Sequence, residues 1–240
     1  MWSNNKVLAV IPARGGSKSI PRKNLAQLNN VSLVGRAIKF ALSLTWVDQV
    51  ILSTDDEEIA DEGKIYGLHV PFMRPKEFAS DTSNSIEMWR QVWLQSEVFY
   101  GVRFDYSILL EPTSPLRNIQ DIEKTMQALT FENHASAVTV SQTPAHYTPH
   151  KTLVIESSGR VNFFLNGGIN HSIRQSIPPY YHRNGICYAV KRNTLIEKKS
   201  IFTDDTIAVL IDRDVVNIDN PIDLKLAEIL ICEKEKLKGD

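Results

Sequence analysis

Val7-Leu8-Ala9-Val10-Ile11-Pro12-Ala13-Arg14-Gly15-Gly16-Ser17-Lys18 carries the strongest fold signal in the chain. Five consecutive apolar residues, stopped by Pro12 and followed by a glycine pair, suit a central strand buried on both faces, as in a parallel sheet. Outward from it, residues 32–44 place Leu33, Ala37, Phe40, Ala41 and Leu44 on one helical face. Residues 47–53 predict a second strand. Asp55 and Asp56 then open a helix running to Tyr66, with acids where the helix dipole favours them. Helices over 85–99 and 118–131 alternate with strands over 106–110 and 135–141. This alternation predicts βαβ crossovers and an α/β fold with a mostly parallel sheet. Ligands of such sheets bind beyond the carboxyl ends of the strands. The Ala13 loop, Ser53-Thr54-Asp55 and Glu111-Pro112-Thr113 each follow a strand, so all three are expected on one rim.

Between about 144 and 183 the texture changes. This stretch holds four of the eleven prolines and four of the six histidines, together with Gly159, Gly167 and Gly168. It reads as an insertion with short strands over 151–156 and 160–165, of the kind that wraps a partner or covers a site. Strands over 185–191 and 206–210 and a closing helix over 221–236, with Pro221 in its first turn, complete the chain. No internal repeat or low-complexity segment interrupts it, and the 240 residues read as one domain, 1–240, large enough to bury a core unaided.

Composition narrows the function classes. A formal net charge of -1 gives no global basic field, which speaks against a nucleic-acid partner. Cys187 and Cys232 have no neighbours at metal-ligand spacing, and both read as small buried hydrophobes. No signal-peptide pattern opens the chain and no apolar run approaches the roughly 20 residues of a membrane span. The expectation is a cytoplasmic protein with no membrane partner.

The loop after the first strand carries the chemistry. Two adjacent glycines allow close approach of the backbone to an anion, and successive N–H groups can form an anion nest. Arg14 and Lys18 add charge, and Arg22 and Lys23 lie within reach. The spacing fits neither the Walker A loop nor the dinucleotide fingerprint. The plain alternative is a solvated glycine turn with surface cations.

Residues 10–25, Val-Ile-Pro-Ala-Arg-Gly-Gly-Ser-Lys-Ser-Ile-Pro-Arg-Lys-Asn-Leu, resemble the opening of the acylneuraminate cytidylyltransferase family, the CMP-sialic acid synthetases. Ser53-Thr54-Asp55 looks like the family's second-strand motif, and Arg74-Pro75 with Ala79-Ser80-Asp81-Thr82 and Ser85 resembles its base-binding stretch. Residues 110–117, Asn184-Gly185 with Tyr188, and Asn217-Ile218-Asp219 with Asp223-Leu224 are similar to the remaining motifs, in family order.

The resemblance implies a Rossmann-like sheet of the nucleotide-diphospho-sugar transferase type with a small dimerisation insertion at about 144–183. It further implies transfer of CMP from CTP to a nine-carbon keto sugar acid, with magnesium and release of pyrophosphate, in a homodimer. By the same resemblance Arg14, Lys18 and Lys23 are the catalytic cations on the triphosphate, work that is mostly positioning and charge neutralisation. Ala13, Arg14, Gly15, Gly16, Ser17, Lys18, Asn24, Arg74, Ser83 and Ser85 would bind the nucleotide, Asn24 at the ribose and Arg74 at the base. Arg74 has the alternative of a plain surface cation. Asp219 and Asn217 would face the metal, and the alternative for Asp219 is a helix cap, a role Asn220 can also fill. Glu111, Arg174 and Tyr188 fall at the sugar, with Tyr188 equally readable as a core tyrosine.

Three positions depart from the family pattern. Ser19 stands where glycine is usual, Glu111 where glutamine is usual, and Asn217 where the first of two aspartates is usual. One acid is lost and one gained, so Glu111 either partly replaces the missing carboxylate or alters sugar choice. Related enzymes activate pseudaminic, legionaminic and octulosonic acids. The competing readings are a nucleotidyltransferase using another base or a sugar-1-phosphate acceptor, and a non-catalytic nucleotide-binding paralogue.

Overall fold

The computed structural model describes residues 2–17, 19–80, 83–166 and 177–236. Lys18 and Arg174, two of the expected site residues, lie outside them. The chain begins with β1 (Val7–Pro12), a one-turn helix at Lys23–Leu25, the short β2 (Gln27–Leu28) and β3 (Val31–Ser32), and α1 (Leu33–Ser43). Next come β4 (Gln49–Ser53), α2 (Glu57–Ile65), α3 (Ser85–Tyr100), β5 (Tyr106–Leu109), α4 (Ile119–Thr130) and β6 (Ser136–Gln142). A hairpin of β7 (Leu153–Ile155) and β8 (Val161–Phe163) precedes β9 (Tyr181–Lys191). The chain closes with α5 (Arg192–Ile196), β10 (Thr206–Leu210) and α6 (Pro221–Lys236).

The main sheet has six strands in the order β10-β6-β9-β5-β1-β4. β1 pairs parallel with β4 and β5, and β6 parallel with β10. β9 runs antiparallel between β5 and β6. The mostly parallel sheet is therefore as expected, with one reversed strand at its centre. Because β9 points the other way, its beginning lies on the rim where the other five strands end. That brings Arg183 and Asn184 to the same rim as Pro12, Ser53 and Leu109.

β1 is fully buried from Val7 through Ile11, as a strand covered on both faces must be. On one side it meets Val34, Ile38 and Ala41 of α1. On the other it meets Trp89 and Trp93 of α3, both fully buried. Trp89 does not bury an unpaired indole N–H. Its Nε1 donates to Ser107 Oγ at 2.8 Å, and Ser107 Oγ donates to the Leu8 carbonyl at 2.9 Å, so α3, β5 and β1 share one satisfied polar chain. α6 packs through Leu224, Ala227 and Ile231. Cys187 is buried as expected, but Cys232 is exposed: one residue past Ile231, it falls about 100° around the helix from the packed face. Among the described residues no helix is long and apolar enough to cross a membrane.

The segment after β10 is tied down by Arg213. Its guanidinium donates to both carboxylate oxygens of Asp121, at 3.2 and 2.5 Å, and to the Leu116 carbonyl at 2.8 Å. Asp121 also closes the capping box of α4, exchanging bonds of 2.9 Å with Asn118. This one carboxylate starts α4 and fixes the chain that runs on to Asn217 and Asp219. Asp121→Ala is expected to destabilise the fold by about 2–4 kcal/mol in urea unfolding, since it removes a cap and strands a partly buried guanidinium. Asn118→Ala, which removes only the cap, should cost about 1 kcal/mol.

Candidate active site

At the carboxyl rim of β1, β4 and β5 lies a cleft of about 550 Å³. Its wall at the β1 end is Pro12, Arg14, Gly16, Ser17, Lys23 and Asn24. Opposite lie Arg74, Phe78, Ser83, Ser85 and Met88, and its floor is Leu109, Glu111, Pro112 and Thr113. Asn217 and Asp219 close the remaining side. Most of the expected site residues thus meet in one concavity, although they come from parts of the chain up to 205 residues apart, from Arg14 to Asp219.

The loop after β1 is held from both ends. Ala13 N–H donates to the Ser53 carbonyl at 2.9 Å, which buries Ala13 and places it beneath the cleft rather than on its surface. Gly15 N–H donates to Asp55 Oδ1 at 3.0 Å, and Asn24 Nδ2 to the Arg14 carbonyl at 2.8 Å. A Cβ on Gly15 would overlap the Asp56 side chain, whereas one on Gly16 would meet nothing within 4 Å. The two glycines therefore serve different ends. Gly15 lets the loop pack on β4's end and spends its N–H there. Gly16 leaves the cleft surface bare for a ligand to approach.

Arg22 does not join the cleft. Its backbone is left-handed, at φ 54°, and its guanidinium is ion-paired with Asp56 at 3.0 Å and Glu58 at 2.7 Å. That turn aims the next residue inward: Lys23 Nζ reaches the Ile218 carbonyl at 3.0 Å and Asp219 Oδ1 at 3.1 Å.

Arg74 is no surface cation. It is 7% exposed, with Nε donating to Ser53 Oγ at 2.9 Å and a terminal nitrogen to the Ser53 carbonyl at 2.6 Å. Burial lowers its pKa to about 10, with Asp55 pulling it up and Arg14 pushing it down. Phe78 and Met88 line the cleft with it and supply apolar surface for a planar ring. No motif spacing marked these two residues. They follow from the position of α3 against the sheet.

Glu111 stands on the floor with its main-chain carbonyl bonded by Arg117. Desolvation raises its pKa, opposed by the fields of Arg117, Arg183 and Lys23 and reinforced by that of Asp219. Gly185 makes room for it. At φ 70°, a Cβ there would overlap both the Glu111 carboxylate and Ser114 Oγ. Asn184 beside it accepts from Thr139 Oγ1 at 2.7 Å and donates to Ser141 Oγ at 3.0 Å, which holds β9 across the irregular register of β6. Asn184-Gly185 is thus a packing device for the Glu111 loop. Arg183, which the sequence reading did not single out, is brought near Glu111 by the reversal of β9. Tyr188 is 7% exposed and packs in the core with Val138 and Val190, outside the cleft lining.

On the last side, Asn220 caps α6 by accepting from Ile222 N–H at 3.0 Å and Asp223 N–H at 3.2 Å. Asp219 is left with its side chain 72% exposed. Asn217 Oδ1 is buried and accepts no hydrogen bond among the described residues. The exposed Asp219 carboxylate offers oxygen of the kind a hard divalent cation takes, although among the described residues no cluster of three or more His, Cys, Asp or Glu side chains stands ready to hold a metal.

The chain matches the family model described as Cytidylyltransferase over residues 8–236. It is 33% identical to "Post-translational flagellin modification protein B" of Campylobacter coli, covering 96% of this chain and 97% of that one. It is 32% identical to "CMP-N,N'-diacetyllegionaminic acid synthase" of Legionella pneumophila, covering 94% and 96% respectively. Among solved structures, a CMP:2-keto-3-deoxy-manno-octonic acid synthetase complexed with CTP superposes with a TM-score of 0.69 at 19% identity, covering 95% of this chain and 99% of that chain, which establishes the shared fold.

Glu111→Gln removes a charge that burial disfavours. A carboxyl whose pKa is raised on folding binds more protons folded than unfolded, so it adds stability as pH falls through its folded pKa. At pH 7 the Gln variant should equal or exceed the parent in urea midpoint. Its advantage should shrink as pH is lowered toward 4.5, the ordinary carboxyl value.

Proposed function

The chain belongs to the cytidylyltransferase family, and we propose that it activates a nine-carbon 2-keto-3-deoxy sugar acid with CTP, giving a CMP-sugar and pyrophosphate. The observation that carries this reading is the single cleft in which Arg14, Asn24, Arg74, Ser83, Ser85, Glu111 and Asp219 converge. In it the base lies against Phe78 and Met88 and is read by Arg74. The triphosphate runs along Gly16, Ser17 and Arg14, with Lys18 and Lys23 as further cations. Arg74 is immobilised by Ser53, so it recognises the base without ordering a loose side chain.

When bound, magnesium at Asp219 and Asn217 supplies charge neutralisation on the phosphates. The chain's own part is positional: Arg14 and Lys23 balance charge on the leaving pyrophosphate, and the floor aims the sugar's hydroxyl at the α-phosphorus. Glu111 sits where a neutral amide is usual, and its carboxylate makes up in part for the acid absent at Asn217. The legionaminic acid name of one relative supports a sugar acid of the sialic type, with Arg174 at its carboxylate.

The insertion at about 144–183 serves a homodimer. Leu153, Val154 and Ile155 of β7 and Val161 and Phe163 of β8 are all exposed, so the hairpin shows apolar side chains on both faces. A two-stranded hairpin of this kind is marginal by itself and calls for cover. The reaction belongs in the cytoplasm, where nucleoside triphosphates are made.

Each of the four nucleoside triphosphates is to be incubated with magnesium and a panel of sialic, legionaminic, pseudaminic and octulosonic acids, and pyrophosphate measured. Release is expected with CTP and a nine-carbon acid. Arg14→Ala should lower it about 10²–10³-fold, the scale of losing one charge-stabilising donor. No release with CTP and any acid rejects the proposal. A further arm replaces the acids with a sugar-1-phosphate, and release only there supports the competing acceptor class.

A further inference from the structure

Lys23 and Asp219 are both read above as contacts to the substrate complex, yet they are bonded to each other. Lys23 Nζ lies 3.1 Å from Asp219 Oδ1 and 3.0 Å from the Ile218 carbonyl. We infer that Lys23 holds the metal's place on Asp219 and moves to the triphosphate when nucleotide arrives, so that nucleotide binding opens the cation site. The inference rests on the proposed placement of the metal at Asp219.

The backbones on both sides are fixed, which leaves the side chains to move. Lys23 is flanked by Arg22, anchored to Asp56 and Glu58, and by Asn24, bonded to the Arg14 carbonyl. Across the gap, Ile218 N–H donates to the Thr113 carbonyl at 2.8 Å and Asp219 N–H to Asp223 Oδ2 at 2.8 Å. Lys23 has a flexible four-carbon stem and Asp219 is largely exposed, so their pair is of the weak, solvent-screened kind. An ammonium on a carboxylate oxygen fills one direction that a metal would use and repels a dication beside it. A triphosphate reverses both effects, since its oxygens outbid one carboxylate for the ammonium. The Ile218 carbonyl gives Lys23 a fixed pivot next to Asp219. By linkage, whatever the nucleotide gains from releasing Asp219, the metal gains from the nucleotide.

The test measures Mn²⁺ binding to the whole chain without nucleotide, by loss of the free-ion electron paramagnetic resonance signal. Lys23→Met is expected to bind Mn²⁺ at least about tenfold more tightly than the parent, about 1.4 kcal/mol. Lys23→Arg, which keeps the charge, should stay near the parent. The gain should vanish in Lys23→Met combined with Asp219→Asn. Mn²⁺ affinity in Lys23→Met equal to or below that of the parent overturns the inference, as does an equal gain in Lys23→Arg. Lys23→Gln carries the same expectation where Lys23→Met fails to fold. A Mn²⁺ gain in Lys23→Met that survives the added Asp219→Asn overturns the metal placement itself. An unchanged Lys23→Met together with Mn²⁺ loss in Asp219→Asn overturns only the exchange.

Discussion

The cleft depends on how the end of β4 satisfies its polar groups. The Ser53 carbonyl accepts from Ala13 N–H and from the Arg74 guanidinium. Asp55 accepts from Gly15 N–H, and Asp56 both caps α2 and binds Arg22. Ser53, Asp55 and Asp56 thus fix the loop after β1 on one side and Arg74 on the other. A parallel strand leaves its last carbonyls and its following turn unpaired by the sheet. Here those groups are paired by the residues that must be held still. The spacing between that loop and Arg74 is therefore set by strand geometry and not by flexible side chains.

Much of this was legible in the sequence because it follows local rules. The continuous apolar run of β1, the acids opening α2 and the Asn118–Asp121 box each encode their element within a few residues. The cleft's membership was legible through motifs that end strands. What was not legible depends on pairing. An apolar run reads alike whether its strand is parallel or antiparallel, so the reversal of β9, and with it the approach of Arg183 to Glu111, left no mark in periodicity. Arg22 looked like a fourth phosphate cation, but its left-handed backbone and two acidic partners turn it away. Gly15 and Gly16 looked equivalent, yet one faces Asp56 and the other faces open space.

The cleft keeps charge that opposes folding. Arg74 is buried with its pKa brought down to about 10, and it remains charged near neutrality, with Asp55 offsetting part of the cost of burial. Arg117 is buried likewise, with a pKa of about 10, and lies under Glu111, whose own charge burial disfavours. A chain selected for stability alone would replace such groups with apolar ones of similar volume. Their grouping on one rim, away from the tryptophans of α3 and the apolar face of α1, is what a site for a charged ligand requires.

The two ends of the cleft differ in how far they are satisfied. At the β1 end, Gly15, Asn24 and Lys23 each have an internal partner, so the loop is preorganised. At the other end, Asn217 Oδ1 has no donor among the described residues and Glu111 is a carboxylate that burial disfavours. Both residues line the one cleft, where a cation stabilises a buried acceptor and a disfavoured carboxylate more than a neutral group does. Asn217 offers an oxygen without adding a further carboxylate to the cleft that holds Glu111 and Asp219. The pair of residues therefore leaves the rim's charge unchanged and places one negative centre at Glu111 on the cleft floor instead of at position 217.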